Sequence, residues 1–526
     1  MENGEKTQYV VISEAFADLL KGRDDATPKL IGSPAFSFSS AGAKKAPAKR
    51  VAAKKVASKQ VAKAEHEKAE PTMARVIELS PLEMRREKRK NNLSGRVFPA
   101  VYYFPQVIPL PGSEVADSAK PFSPSKLAVV AQKRAKPATV NGRVKVKVVD
   151  VRTGKPLAGI EVLGFRSASR KVRYAAMTDA AGQAVLNFEG AKLAEVWAYP
   201  PHSHWSSIRK NVAHGTTARF ELSTWDAVGN RALDLLRKGV ASDTARGQGV
   251  RVAVIDTGVA KHKGLKISKR VSIVDGKEKR TDNIDVQPHG THVAGIIAGA
   301  PTEHVGPLGI APKAQVYSYR IFAGCNSGAV SSDLALAIIR ATNDGCHIIN
   351  LSLSGGGEDD LVKRALKFAE NRGVLVIAAA GNQSADAVAF PASEKTVVSV
   401  GAMGCTTTYP KDSFHAINAV KPWGATKSHY IARFSNAGFN LICSSVGVAV
   451  ISTVPGDNYQ AMDGTSMACP AVTAIAACLL SMDKHAAVLG MPANKSRSVA
   501  MRKLLYTACS SLGFDPAREG KQGLPS

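Results

Sequence analysis

Three short stretches each carry one part of a nucleophilic site. Gly464-Thr465-Ser466-Met467-Ala468 is a small-residue turn that places Ser466 ahead of the apolar run Ala471 to Leu480. At the start of a helix the backbone N–H groups lack intrahelical partners and favour negative charge. A serine there can attack a carbonyl and help hold the oxyanion that forms. The run Val252-Ala253-Val254-Ile255-Asp256-Thr257-Gly258 reads as a buried strand with Asp256 at its carboxyl end, where sites form in open α/β sheets. His289-Gly290-Thr291-His292-Val293-Ala294-Gly295 enters the apolar run Ile296 to Ala298 and puts His289 at a helix start. Read singly, each stretch has a plainer explanation; a serine before a helix is most often a cap. Read together, they supply the hydroxyl, the imidazole that takes its proton, and the carboxylate that fixes the imidazole tautomer.

Two other chemistries use some of the same residues. Asp256-Thr257-Gly258 is also the signature tripeptide of aspartic proteases, which need two such carboxylates sharing a proton; the chain has no second Asp-Thr-Gly. His289 and His292 lie on one helical face, as zinc ligands would. No glutamate stands between them in the His-Glu-x-x-His manner, and no third ligand is apparent.

The elements around these stretches alternate. Strands are predicted over Ala314 to Ile321, His347 to Ser354 and Val374 to Ala380. Helices are predicted over Ser332 to Asn343 and Asp359 to Arg372. Such alternation predicts an α/β fold, a doubly wound, mostly parallel sheet covered by helices on both faces.

The blocks around Asp256, His289 and Ser466 resemble those of the subtilisin-like serine proteases, in that family's order. Val376-Ile377-Ala378-Ala379-Ala380-Gly381-Asn382 matches a fourth block. The resemblance spans about Gly247 to Leu512. It implies a catalytic triad of Asp256, His289 and Ser466, with Asn382 as the side-chain donor of the oxyanion hole, in a serine endopeptidase that works through an acyl-enzyme. It also implies that Leu351, Ser352, Leu353, Ser354 and Gly355 form one wall of the substrate cleft and pair with an extended peptide. The acids Glu358, Asp359 and Asp360 read equally as an attraction for basic substrates and as the acidic start of the next helix. The loop after Gly299 carries no acidic cluster of the kind calcium needs, so no metal and no cofactor are predicted. Past Leu505 and Gly513 little length remains for a closing helix.

Upstream, the organisation is predicted as follows. Residues 1–25 hold a strand at Tyr9 to Ile12 and a helix from Ser13 to Leu20. Residues 26–70 are a basic insertion; from 43 to 70 the chain is nearly all Ala, Lys and Val, without an aromatic residue. That stretch reads as a solvated linker or as a sequence-independent contact for nucleic acid or another acidic partner. Residues 71–111 give a strand at Arg75 to Leu79, a helix capped by Ser80 with Pro81 at its first position, and a strand at Arg96 to Phe104. Together 1–25 and 71–111 resemble an inhibitory propeptide of the same protease family, which implies a zymogen. Residues 112–139 are a linker. Residues 140–222 alternate in the all-β manner, and Gly154-Lys155-Pro156-Leu157-Ala158-Gly159 with Thr178-Asp179-Ala180-Ala181-Gly182 resembles carboxypeptidase-regulatory-like sandwich modules. His202, His204 and Trp205 form a loop cluster within it. The protease-like part then runs 223–526.

Bulk properties bound the rest. The 526 residues carry a net charge of +27, which favours acidic partners. No run of about eighteen apolar residues occurs, so no membrane span is predicted. The start Met1-Glu2-Asn3-Gly4-Glu5-Lys6 lacks the basic and apolar regions of a secretory signal. The seven cysteines are odd in number and form no Cys-x-x-Cys, so reduced thiols are predicted. Both points predict a cytoplasmic location, with export by another route left open. The oligomeric state is not legible.

Overall fold

Within the strand Arg251–Asp256 the side chains divide by period two. Val252 and Val254 enter one apolar core, and Ala253 and Ile255 enter another. A strand that buries both faces belongs inside a sheet covered on both sides. The computed structural model describes residues 7–21, 73–80, 83–84, 96–107, 142–167, 170, 173–225, 231–240, 246–279, 284–301, 306–325, 327–422, 424 and 426–525. The basic stretch 43–70 and the linker 112–139 lie outside the described residues.

The central sheet has nine strands. Its path runs Lys277–Lys279, Ile267–Val274, Gln315–Arg320, Arg251–Asp256, Ile348–Leu351, Leu375–Ala379, Val397–Cys405 and His429–Ile431, and Cys443–Val446 also pairs with Val397–Cys405. The pairings are parallel except at Lys277–Lys279 and His429–Ile431. One core takes the helices His289–Ala298 and Thr465–Ser481; the other takes Ser331–Asn343 and Asp360–Asn371. The doubly wound, mostly parallel sheet is therefore present. Past Gly513 the chain forms the four-residue helix Pro516–Glu519; the thirteen-residue helix that closes onto the first core, Lys495–Thr507, comes before that point. Its first turn is capped by Asn494, which accepts from the Ser496 N–H. The sequence reading passed over this helix because its polar face outweighs the three side chains it buries, Ser498, Met501 and Leu505.

Two further sheets occupy 142–222. One orders Ser207–Ala213, Lys192–Tyr199, Glu161–Phe165 and Arg173–Met177; the other orders Thr217–Leu222, Gly142–Asp150 and Gln183–Phe188. Alternate residues such as Val144, Val146, Val148, Leu186 and Phe220 fill the space between them. The loop cluster within this region is structural. His204 bonds to Asp150 (3.0 Å), and Trp205 packs against Trp225 and His415.

The described residues before 107 include an antiparallel sheet of Ala74–Leu79, Thr7–Ile12 and Val97–Pro99, with the helix Glu14–Leu20 capped by Ser13. Ser80 and Glu83 make reciprocal bonds, a capping box. The predicted strand Arg96 to Phe104 is two strands. The chain breaks pairing at Ala100-Val101, because its second half, Tyr102–Pro105, joins another sheet altogether. That half lies between Ala329–Val330 and Leu353–Gly355, antiparallel to both.

Candidate active site

The three sequence blocks meet at the carboxyl ends of the central strands. Asp256 ends its strand and is buried. Its Oδ1 accepts from the Thr257 backbone N–H and from Nδ1–H of His289, both at 2.7 Å. That bond leaves His289 Nε2, buried and without a hydrogen-bond partner, as the basic nitrogen. A second carboxylate braces the start of the His289 helix. Asp285 accepts from the Thr257 hydroxyl at 2.6 Å and from the Thr291 backbone N–H at 2.8 Å, and burial pushes its pKa up to about 6. The Thr257 hydroxyl in turn accepts from the Gly290 N–H at 2.9 Å, so strand end and helix start are tied together.

Ser466 is the second residue of the helix Thr465–Ser481, which buries every residue through Leu480. Pro470 lies four residues on and has no N–H to give the Ser466 carbonyl. That carbonyl accepts from the Ser352 hydroxyl instead, at 3.1 Å, which ties the serine's helix to the cleft wall. The Ser466 hydroxyl donates to the Ser352 carbonyl at 2.8 Å. Asn382 Oδ1 accepts from both the N–H and the hydroxyl of Thr465, at 2.9 and 2.8 Å. The amide is thereby held one way round, and its Nδ2 is buried without a partner, facing the turn at Gly464.

An extended chain already lies across these groups. Gln106 donates its N–H to the Ser352 carbonyl at 3.1 Å, and its own carbonyl accepts from the Ser466 N–H at 3.0 Å. A Cβ on Gly464 would lie 2.3 Å from that carbonyl oxygen, so only glycine admits a peptide so close. Upstream, Pro105, Phe104 and Tyr103 stand opposite Leu353, Ser354 and Gly355.

The arrangement provides a carboxylate-oriented imidazole, a serine at a helix start, and two N–H donors, one of them already on a peptide carbonyl. A family model described as Peptidase_S8, Subtilase family, matches residues 247–524. The chain belongs to the subtilase family. M-protease of Shouchella clausii (strain KSM-K16) is 37% identical over 231 residues, 44% of this chain and 54% of the relative. Subtilisin Savinase of Lederbergia lenta is 37% identical over 231 residues, 44% of this chain and 76% of the relative. The thermostable alkaline protease of Halalkalibacterium halodurans is 35% identical over 235 residues, 45% of this chain and 58% of the relative. The chain thus spans between about half and three quarters of the length of these relatives. Its subtilase domain is a serine endopeptidase domain.

These relatives correct the predicted cytoplasmic location: they are secreted subtilisins and alkaline proteases, which points away from the cytoplasm. None of the seven cysteines is in a disulfide, but buried thiols report packing as readily as compartment.

Of the five wall residues, Ser352 to Gly355 meet the extended chain. Leu351 belongs to the central sheet, paired with Ala378. His292 donates Nε2–H to the Gln460 carbonyl at 2.9 Å, and burial lowers its pKa to about 3, so it packs as a neutral ring. Among the described residues no three His, Cys, Asp or Glu side chains gather as a metal-binding group, and no single helix is long and apolar enough to cross a membrane. Of the three acids, Glu358 pairs with Lys363 in solvent, while Asp359 is buried and caps the helix Asp360–Asn371. Sequence reading missed the second cleft wall, Ala329–Val330, which is too short to carry a periodic signal.

Proposed function

We propose that the whole chain is a serine endopeptidase in which His289 accepts the Ser466 proton, Asp256 orients and stabilises the imidazolium, and Asn382 and the Ser466 N–H hold the oxyanion. Ser466 Oγ attacks the carbonyl carbon of an extended peptide. His289 then gives the proton to the leaving amine, and water releases the acyl group by the same steps in reverse. The observation that carries the reading is the peptide carbonyl of Gln106 on the Ser466 N–H, beside the unpartnered Asn382 Nδ2 and His289 Nε2. For the first step the Ser466 hydroxyl turns from the Ser352 carbonyl to His289 Nε2.

The described residues from 7 to 107 act, on this reading, as a propeptide that fills the cleft and keeps the enzyme silent until it is removed. The strand Tyr102–Pro105 between both cleft walls supports it. Residues 142–222 act as a β-sandwich module of the carboxypeptidase-regulatory-like kind, supported by two sheets over one core.

A fluorophosphonate probe tests the assignment. Incubation with protein that hydrolyses casein should place the label on Ser466, and His289→Ala should lose it. Casein hydrolysis with Ser466 unlabelled would contradict the assignment.

A further inference from the structure

The chain in the cleft is seated by more than its backbone. Tyr103 is fully buried and lies opposite Ala329 on one side and Gly355 on the other. Its ring meets Phe390, with centroids 6.3 Å apart, and a Cβ on Gly355 would lie 2.8 Å from that ring. The phenol donates to Asp359 Oδ2 at 2.9 Å. The other oxygen of Asp359 is committed to the helix cap, accepting from the Leu361 and Val362 N–H groups. A buried carboxylate with one oxygen fixed by a helix end therefore presents its second oxygen at the bottom of an aromatic slot. Three residues on, the Gln106 side chain is also buried. Its Oε1 accepts from the Asn382 N–H at 3.2 Å and from Gln383 Nε2 at 3.3 Å, and its Nε2 donates to the Phe104 carbonyl at 3.0 Å. Gln383 is held by Asn436, whose Nδ2 donates to its Oε1 at 3.0 Å and whose own Oδ1 accepts the Gln383 N–H at 2.9 Å.

We infer that this cleft selects substrates of the form Tyr-x-x-Gln, cut after the glutamine, with Asp359 and Gln383 as the specificity-determining residues, and that the chain's own bond between Gln106 and Val107 is cut first. The inference rests on the serine-endopeptidase reading above. In that step Ser466 Oγ bonds to the Gln106 carbonyl carbon as its proton passes to His289. The bond from that carbon to the Val107 nitrogen breaks, and the nitrogen leaves with the proton. Water then restores the serine and frees the Gln106 carboxylate.

A site that buries a polar group for a substrate hydroxyl rejects the analogue without it, because the site's group is left unpaired. A hydrogen bond to a charged group is worth about 10- to 100-fold, and a neutral one about 2- to 10-fold. Full-length protein is incubated and its intact mass and new N-terminus are read. The self-cut protein is then given fluorogenic peptides copying residues 102–108, with tyrosine or phenylalanine at the position of Tyr103 and glutamine or leucine at that of Gln106. The expected cut exposes Val107. The tyrosine peptide should exceed the phenylalanine peptide in kcat/KM by about 10-fold or more, and glutamine should exceed leucine by several-fold. Asp359→Ser keeps a helix cap and loses the phenol's acceptor, so it should bring the ratio of kcat/KM between the tyrosine and phenylalanine peptides to about one. A first cut elsewhere, or equal rates on all peptides with Ser466-dependent casein hydrolysis intact, overturns the specificity and leaves the enzyme reading standing. Absence of any Ser466-dependent hydrolysis overturns both.

Discussion

At the scale of single residues, the site divides into groups with partners and groups without. Asp256 Oδ1, Asn382 Oδ1 and the Ser466 carbonyl are each tied down. His289 Nε2, Asn382 Nδ2 and Asp256 Oδ2 are buried and unpaired. An unpaired buried polar atom costs stability, and three at one spot support the proposed site, where charge would appear during reaction. Asn382 carries a quantitative consequence. Asn382→Ala should lower kcat by about 10²–10³ with a smaller change in KM, since one oxyanion donor acts chiefly on the transition state. Steady-state kinetics on a soluble peptide read this, and an unchanged kcat would remove Asn382 from the oxyanion hole. The residue types of the proposed site were legible in the sequence because the proposed nucleophile, base and carboxylate each sit at an abrupt turn next to an apolar run. Asp359 was legible as a helix-start acid or as an attraction for basic substrates, not as the partner of a phenol. Its second role depends on Tyr103, 256 residues earlier, and no local pattern reports so distant a partner.

Among the elements, the strand Arg251–Asp256 and the helices His289–Ala298 and Thr465–Ser481 converge because the parallel sheet directs all its carboxyl ends one way. Element type followed from apolar runs: a short β-branched one, Val252–Ile255, ending in Asp256 for the strand, and a longer one for the serine's helix. The pairing of Tyr102–Pro105 did not follow, since a four-residue strand carries no signal of which sheet it will join. A buried acid at the turn between Ile267–Val274 and Lys277–Lys279 gives this scale its prediction. Asp333 accepts the N–H groups of Asp275 and Gly276, and burial pushes its pKa up to about 7. An unfolded aspartate titrates near 4. Between about pH 4 and 7 the folded chain thus keeps a proton that the unfolded chain releases, and stability falls as pH rises through that window. Asp285, raised to about 6, adds to the same slope. Asp333→Asn should flatten it, so that the difference in melting temperature between pH 5 and pH 8 shrinks. An undiminished difference would show that Asp333 does not govern the slope.

For the molecule as a whole, the sheets at 142–222 meet the subtilase domain at the loop 405–418, and the chain around Gln106 meets it at Ser466. The loop 405–418 is the hinge of that meeting. Phe414 meets Trp197 at a tilt and Tyr199 edge-on, Ser206 Oγ accepts the Phe414 N–H, and Trp205 lies edge-on to His415. His415 bonds to Asp463 at 2.7 Å, and Asp463 also accepts from Asn418 and Ala449 directly before the Gly464 turn. The sheets at 142–222 therefore back the loop that backs the turn before Ser466, while Gln106 bonds directly to Ser352 and Ser466. None of this docking was legible, because apolar and polar pairs between separate regions leave no periodic trace in either. What the whole account requires is that one hydroxyl carries the chemistry. Casein hydrolysis by the purified full-length protein and by its Ser466→Ala variant, measured side by side, tests this most directly. The account predicts hydrolysis by the first and essentially none by the second, with equal folding by circular dichroism; equal hydrolysis by both would contradict it.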